Sequence, residues 1–142
     1  MTVKDINNIP KLAQELNAIL DRVGGKAGAY MEAKLVEMIS TQWTGWAPLA
    51  EETIARKGSS QIYFDKGELQ GLITHVVKGT MPKVIEVGIF NHEKGTIAHF
   101  MEFGTERMPE RPLFRLVFSL EQEKIQDLIL TELDKELKQF EV

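Results

Sequence analysis

Apolar side chains recur every three or four residues over the first third of the chain, which is the period of an amphipathic α-helix. Pro10 suits a first helical turn, where its missing N–H needs no partner. The Gly24-Gly25 pair predicts a break or kink, after which the period restarts and runs to about Thr41. We therefore predict a broken or paired helix whose apolar stripe faces the core, with a partner-binding helix as the alternative. Its apolar positions are Ile9, Leu12, Leu16, Ile19, Leu20, Val23, Ala27, Met31, Leu35, Met38 and Ile39.

From Gln42 to Phe64 this period disappears, apart from a short helix predicted between Leu49 and about Lys57. Irregular connections of this length are usually functional or disordered. Trp43 and Trp46 argue against plain disorder, because each has a large apolar body to bury. Either the segment folds over the core or a partner covers it, and the two tryptophans are candidate interface residues.

The middle of the chain predicts a β-hairpin. Asp65 is a candidate N-cap for a short helix that ends near Leu72. The segments 72–77 and 83–90 are rich in β-branched residues and are separated by a Gly-Thr-Met-Pro turn. We expect these two segments to pair as antiparallel strands.

A short apolar helix follows the hairpin. Thr96 is its predicted cap, and Phe100 and Phe103 share one face, which we expect to be buried. Gly104 predicts the end of the helix, since glycine tolerates a positive φ there. The following loop is charged and stiffened by two prolines, so it suits protein contacts, with a solvated turn as the alternative. Its candidate interface residues are Glu106, Arg107, Met108 and Arg111.

The last part of the chain predicts a long amphipathic helix. Together with the preceding elements it defines an α+β fold, in which a small antiparallel sheet packs against N-terminal and long C-terminal helices. We expect one domain over residues 1–142. The apolar positions of this last helix are Leu116, Leu120, Ile125, Leu128, Ile129, Leu133, Leu137 and Phe140.

Composition narrows the classes of function. The chain has no cysteine, so disulfides, thiolate zinc sites and cysteine nucleophiles are excluded. The sequence has neither a signal-peptide pattern nor an apolar run long enough to span a bilayer, so we expect a soluble protein with no membrane partner. A net charge of −4 with interspersed signs disfavours nucleic-acid binding by the whole surface, and we expect no sequence-specific nucleic-acid partner.

Catalytic patterns are weak. His99 and Glu102 lie three residues apart, and His75 and His92 could complete a metal site. Ser59-Ser60 could act as nucleophiles with a histidine base and Asp65, but no glycine-flanked turn presents either serine. We predict no catalytic, cofactor-binding or metal-binding residues and no enzyme activity, and keep a soluble histidine-based hydrolase or metal-dependent enzyme as an alternative.

Four short blocks, in this order and spacing, resemble a family of small tailed-bacteriophage proteins. These are the head-to-tail joining and tail completion proteins, often labelled virion morphogenesis or minor tail proteins. Lys66 and Ile97 stand where the family usually has threonine and tyrosine. The blocks are Trp46-Ala47-Pro48-Leu49 with Thr53 and Lys57; Lys66-Gly67-Glu68-Leu69 with Gly71-Leu72-Ile73; Val87-Gly88-Ile89; and Ala98-His99-Phe100-Met101-Glu102-Phe103-Gly104-Thr105 followed by Arg111-Pro112-Leu113-Phe114.

The resemblance implies a tail-terminator-like α+β fold and a ring-shaped homo-oligomer, often hexameric, whose subunits can be monomeric before assembly. It implies a structural virion protein at the tail or neck, made in the host bacterial cytoplasm. Its partners would be its own copies, the tail tube and the head connector. No catalysis is implied. The remaining alternative is a bacterial adaptor that binds a partner helix.

Overall fold

The computed structural model describes residues 3–63 and 67–140, with side chains from residue 9 onward. Two long helices and a two-stranded antiparallel sheet form an α+β fold in these ranges, as predicted. The elements are α1 (Val3–Thr41), α2 (Glu51–Lys57), α3 (Glu68–Leu72), β1 (Ile73–Lys78), β2 (Val84–Ile89), α4 (His92–Phe103) and α5 (Phe114–Lys138).

The two long helices run antiparallel, as the order of their ion pairs shows. Arg22 of α1 pairs with Glu136 of α5 at 2.8 Å, and Lys26 pairs with Glu132 at 2.6 Å. A cavity of about 540 Å³, lined mainly by apolar residues, lies between α1, β2 and the first half of α5. The largest fully buried side chains of α1 and α5 are Ile19, Leu35, Ile39 and Val117.

The predicted hairpin is confirmed. Its register pairs Ile73 with Ile89 at one end and Lys78 with Val84 at the other. Along β1 the side chains alternate, so that His75 and Val77 face α1 while Val76 lies exposed on the other side. One face of the hairpin thus packs on α1.

The predicted break at Gly24-Gly25 is wrong, because α1 is one helix, and it begins before Pro10 rather than at it. Gly24 lies under the hairpin, where an added Cβ would be 3.0 Å from the Val77 Cγ1. At Gly28 an added Cβ would be 2.5 Å from the His75 Cδ2. Gly24 and Gly28 therefore provide room for β1, and tertiary packing outweighs their low helix propensity.

The connection from 42 to 63 folds over the core, which decides between the two alternatives for this segment. Trp46, Ile62 and Tyr63 are buried, and α2 forms where a short helix was predicted. The Gln42 side chain joins the two ends of the connection. Its Nε2 donates to the Ile62 carbonyl at 2.9 Å, and its Oε1 accepts from the Ile62 N–H at 2.7 Å.

The helix starts differ from those predicted. Asp65, the candidate cap of α3, lies outside the described residues, and α3 begins at Glu68. For α4, Asn91 is the N-cap, because its Oδ1 accepts from the Lys94 N–H at 3.0 Å. Thr96 instead lies inside α4 and donates to the His92 carbonyl. An Asx side chain beside the first turn thus takes the capping role.

The predicted inner face of α4 is also wrong. Phe100 and Phe103 are 47% and 52% exposed, whereas Ala98 and Glu102 are buried. The helix therefore turns a small residue and a carboxylate inward.

The long C-terminal helix is confirmed as α5, but its apolar face is wider than the surface that α1 and the hairpin cover. Leu120 and Leu137 were predicted to face the core and are exposed, as is Leu130. Part of this apolar face is therefore unpartnered within the described chain.

Candidate functional site

Glu102 joins the end of α4 to the start of α5, and we call this contact set the Glu102 junction. Its Oε2 accepts the backbone N–H groups of Leu113 at 2.6 Å and Phe114 at 3.0 Å. Its Oε1 accepts the N–H of Arg115 at 2.9 Å. The first N–H groups of a helix have no partner within the helix. A carboxylate from another helix thus caps α5.

Arg115 completes the Glu102 junction from the solvent side. Its Nε donates to the Glu102 Oε1 at 3.2 Å, and a terminal nitrogen donates to the Glu102 carbonyl at 2.6 Å. The guanidinium also lies over the Phe103 ring, 4.7 Å from its centroid. Phe103 therefore covers an ion pair rather than filling the core.

Arg111 is buried and links the junction to the connection. Its Nε donates to the Ala47 carbonyl at 2.7 Å and a terminal nitrogen to the Pro48 carbonyl at 2.9 Å. Its backbone N–H donates to the Met101 carbonyl. Burial lowers the pKa of the guanidinium. The prediction of Arg111 as an exposed loop contact is therefore wrong, because fixed carbonyls take its donors.

Trp46 and Tyr63 form the inner wall beside Arg111. The Trp46 Nε1 donates to the Pro112 carbonyl at 2.6 Å, and the Tyr63 hydroxyl donates to the Arg111 carbonyl at 2.5 Å. Burial, with a contribution from the nearby Glu102 carboxylate, raises the pKa of the Tyr63 phenol well above its ordinary value. Trp46, predicted as an interface residue, is instead a core residue.

Gly104 turns the chain out of α4. Its φ is 75°, and an added Cβ would lie 2.8 Å from the Glu110 nitrogen, so a side chain has neither the backbone conformation nor the space. Thr105 and Met108 then pair through both backbone groups, at 2.9 and 3.3 Å. This bridge makes a tight turn with Glu106 and Arg107 exposed at its tip.

The remaining predicted interface residues are accessible. Trp43 is 37% exposed and packs edge-on against Trp46, and Met108 is half-buried. Of the predicted set, Trp43, Glu106, Arg107 and Met108 can therefore meet a neighbour. Trp46 and Arg111 are buried.

A groove lies beside this turn, between α2, α4 and the end of the connection, with a volume of about 720 Å³. We call it the basic groove, because five of its lining residues are Lys or Arg and one, Glu68, is acidic. Its floor is apolar and includes exposed side chains of α4 such as Phe100. The basic lining residues are Arg56, Lys57, Lys94, Arg107 and Arg111, and the apolar ones include Leu49, Leu69, Ile97, Phe100, Met101 and Met108.

Of the residues considered for catalysis, His92 and His99 line one pocket beside the start of α4, but His75 and Ser59 do not line it. The His75 Nδ1 contacts the Glu32 carboxylate at 2.7 Å, while the His99 ring packs on Phe103. The Ser59 Oγ accepts from the Gln61 N–H at 3.1 Å. Asp65 lies outside the described residues, and within 3–63 and 67–140 no three His, Asp or Glu side chains converge as metal ligands.

Sequence reasoning missed the roles of Glu102 and Tyr63. A carboxylate inside the apolar run 97–103 was the available indication for Glu102, since a buried acid needs donors. Tyr63 had no comparable pattern, because it ends an irregular segment.

Comparison with protein-family models, curated proteins and solved structures finds no match to this chain. Among the helices that the structure describes, none combines the length and the apolarity needed to cross a membrane.

Proposed function

We propose that this chain is a structural virion protein of a tailed phage or prophage. It acts in tail completion or head-to-tail joining, as a subunit of a homo-oligomeric ring at the tail or neck. Its partners are its own copies, the tail tube and the head connector.

The observation that carries the proposal is the meeting of the four resemblance blocks around one core. The Arg111 guanidinium binds the carbonyls of Ala47 and Pro48, which connects the last block with the first. Ile73 of the second block pairs with Ile89 of the third. Trp46, Ile73 and Leu113 belong to one buried cluster. Residues far apart in sequence thus form one structural motif. This supports the resemblance on which the proposed function is based.

The distribution of exposed surface also supports a ring. A ring requires two different patches on each subunit that meet head to tail. The chain has the basic groove on one side and exposed leucines along α5 on another. Exposed apolar surface of this kind is typical of protein contacts.

Cryo-electron microscopy of the particle encoded beside this gene tests the proposal. We expect a ring of this chain at the head-proximal end of the tail or in the neck. Deleting the gene should yield tails of abnormal length if the chain completes the tail, or finished tails and separate filled heads if it joins them. Particles that assemble normally without the gene, or whose tail and neck density contains no copy of the chain, would overturn the proposal.

A further inference from the structure

The outer face of α5 carries an acidic and apolar stripe. Leu120 and Leu130 are 59% and 65% exposed. Steps of three or four residues through Glu123 and Asp127 join them, which keeps all four residues on one side of the helix, within an arc of about 80°. Glu123 and Asp127 occupy the turns between them and have no ion pair or side-chain hydrogen bond within the described part of the chain. The α5 stripe consists of Leu120, Glu123, Asp127, Leu130, Asp134 and Leu137.

The basic groove has the complementary chemistry. Its apolar floor is flanked by Arg56 of α2 and Arg107 of the 105–108 turn, both of them exposed. Neither side chain has an ion pair with any residue that the structure describes. Glu106 is the nearest acidic residue in sequence to Arg107, but it does not line the groove.

We propose that the α5 stripe of one copy docks in the basic groove of the next copy. The exposed leucines cover the apolar floor, and Glu123 and Asp127 face Arg56 and Arg107. This inference rests on the proposed function, since it specifies the subunit contact of the ring. Two different faces in contact make a heterologous interface, which closes into a ring when the rotation between neighbours divides a full turn.

Charge complementarity is the reason to place a second copy in the groove. A groove with four more basic than acidic lining residues attracts an acidic partner, and such pairing raises the association rate and selects the orientation. The α5 stripe is acidic and apolar at the spacing of helical turns, and helix-in-groove docking uses this arrangement. Every copy carries both surfaces.

Reversing the charges on each side separately gives a sharp test. The groove variant is Arg56→Glu with Arg107→Glu, and the stripe variant is Glu123→Lys with Asp127→Lys. All four positions are exposed, so both variants should keep the wild-type circular dichroism and melting temperature. Each variant repels itself, but the contacts between unlike copies in an equimolar mixture are attractive. The reversed groove of one variant there meets the reversed stripe of the other, and the unreversed groove meets the unreversed stripe.

We expect the groove variant alone and the stripe variant alone to lose self-assembly in mass photometry, and their mixture to recover it. The concentration at half-assembly should rise by about tenfold or more for each variant alone and return close to wild type in the mixture. Lys78→Glu, an exposed reversal outside both surfaces, serves as the control and should assemble as wild type does.

Cysteine crosslinking covers the case in which the free subunits associate weakly, since the chain has no cysteine of its own. Arg107→Cys mixed with Asp127→Cys should form a disulfide-linked heterodimer several-fold faster than Lys78→Cys mixed with Asp127→Cys. Crosslinking at the control rate would overturn the proposed contact.

The outcomes separate this contact from the proposed function. If both variants assemble as wild type does, or if their mixture fails to recover assembly, the groove and the stripe do not meet, while the ring itself stands. If the phage particle contains no ring of the chain, the proposed function fails and the contact loses its basis.

Discussion

The Glu102 carboxylate of α4 accepts the backbone N–H of Leu113 at 2.6 Å, at the point where α5 begins. Leu113, the residue before α5, has no side-chain hydrogen bond that could cap the helix. The cap therefore comes from a residue eleven positions earlier in the chain. This contact connects the stability of α5 to the orientation of α4.

Removing the carboxylate should destabilise the whole fold. Glu102→Ala leaves three N–H groups and the Arg115 Nε without their carboxylate acceptor, and we expect a loss of about 3–5 kcal/mol in the free energy of unfolding. Glu102→Gln keeps the volume and one oxygen, so its loss should be smaller, about 1–3 kcal/mol. Urea denaturation followed by circular dichroism measures both. The exposed control Glu106→Ala should change the free energy of unfolding by less than about 0.5 kcal/mol. A loss for Glu106→Ala as large as that for Glu102→Ala would contradict the capping role of Glu102.

The glycines of α1 should respond oppositely to the same substitution. At Gly25 no atom lies within 4 Å of an added Cβ, so Gly25→Ala should stabilise the helix by about 0.5–1 kcal/mol. At Gly28 the added Cβ would lie 2.5 Å from the His75 Cδ2, so Gly28→Ala should destabilise by about 1–3 kcal/mol through overpacking. Melting temperatures of the two variants provide the measurement. Equal stabilisation by both would show that β1 does not rest on Gly28.

Alkaline pH should weaken the fold through Tyr63. Because burial raises the pKa of the folded-state phenol above its ordinary value of 10.0, the neutral form is favoured in the folded protein. The resulting stability is fully present below about pH 10 and falls as pH rises further, since the unfolded chain then releases the proton more readily. Denaturant titrations between pH 8 and pH 11 (roughly the range around the ordinary phenol pKa) follow this loss.

Two variants separate Tyr63 from the rest of the chain. Tyr63→Phe should be less stable at neutral pH by about 1–3 kcal/mol, because the Arg111 carbonyl loses its buried donor, but its stability should fall less above pH 10. Tyr30→Phe is the comparison variant. The hydrogen bond to Glu121 also raises the pKa of Tyr30, so this variant measures the share of Tyr30 in the alkaline loss, which we expect to be the smaller because Tyr30 is only partly buried. If Tyr30→Phe removed the alkaline loss and Tyr63→Phe did not, the assignment to Tyr63 would be wrong.

Acidic pH should weaken the contact between α1 and α5. Hydrogen bonds from Arg22 and Lys26 lower the pKa values of Glu136 and Glu132, respectively. A carboxylate with a lowered folded-state pKa contributes stability above its unfolded value of 4.5, and this stability is lost as pH falls through the folded value. The Glu132→Gln, Glu136→Gln double variant should therefore show a smaller loss of stability between pH 6 and pH 3 (approximately the range of carboxyl titration) than wild type. The same loss in both proteins would exclude these pairs as the cause.

Local patterns predicted the element types well. The three-to-four-residue period predicted the helices at both ends of the chain. Two β-branched runs separated by a Gly-Thr-Met-Pro turn predicted the hairpin. Gly104 was correctly predicted as the end of α4, because a glycine stop depends on backbone conformation at one residue. These features are encoded within a few neighbouring residues.

The direction in which side chains face was harder to predict. On α4 the period identifies a face with Phe100 and Phe103, yet Glu102 turns inward because the N–H groups at the start of α5 need an acceptor. Arg111 looks like a loop cation, but it is buried because Ala47 and Pro48 present two carbonyls to it. In each case the partner lies outside the local window that a sequence pattern covers.

The sequence by itself determined the α+β order of elements, the hairpin and the stop at Gly104, because each depends on interactions between near neighbours. Only the tertiary structure decided that α1 continues through Gly24 and Gly25, and that the connection covers the core. It also decided that Glu102 and Arg111 lie inside. These features depend on which surfaces meet after folding. Close packing of β1 on α1 favours a residue without a Cβ at Gly24, and a buried charge requires its full set of hydrogen-bond partners.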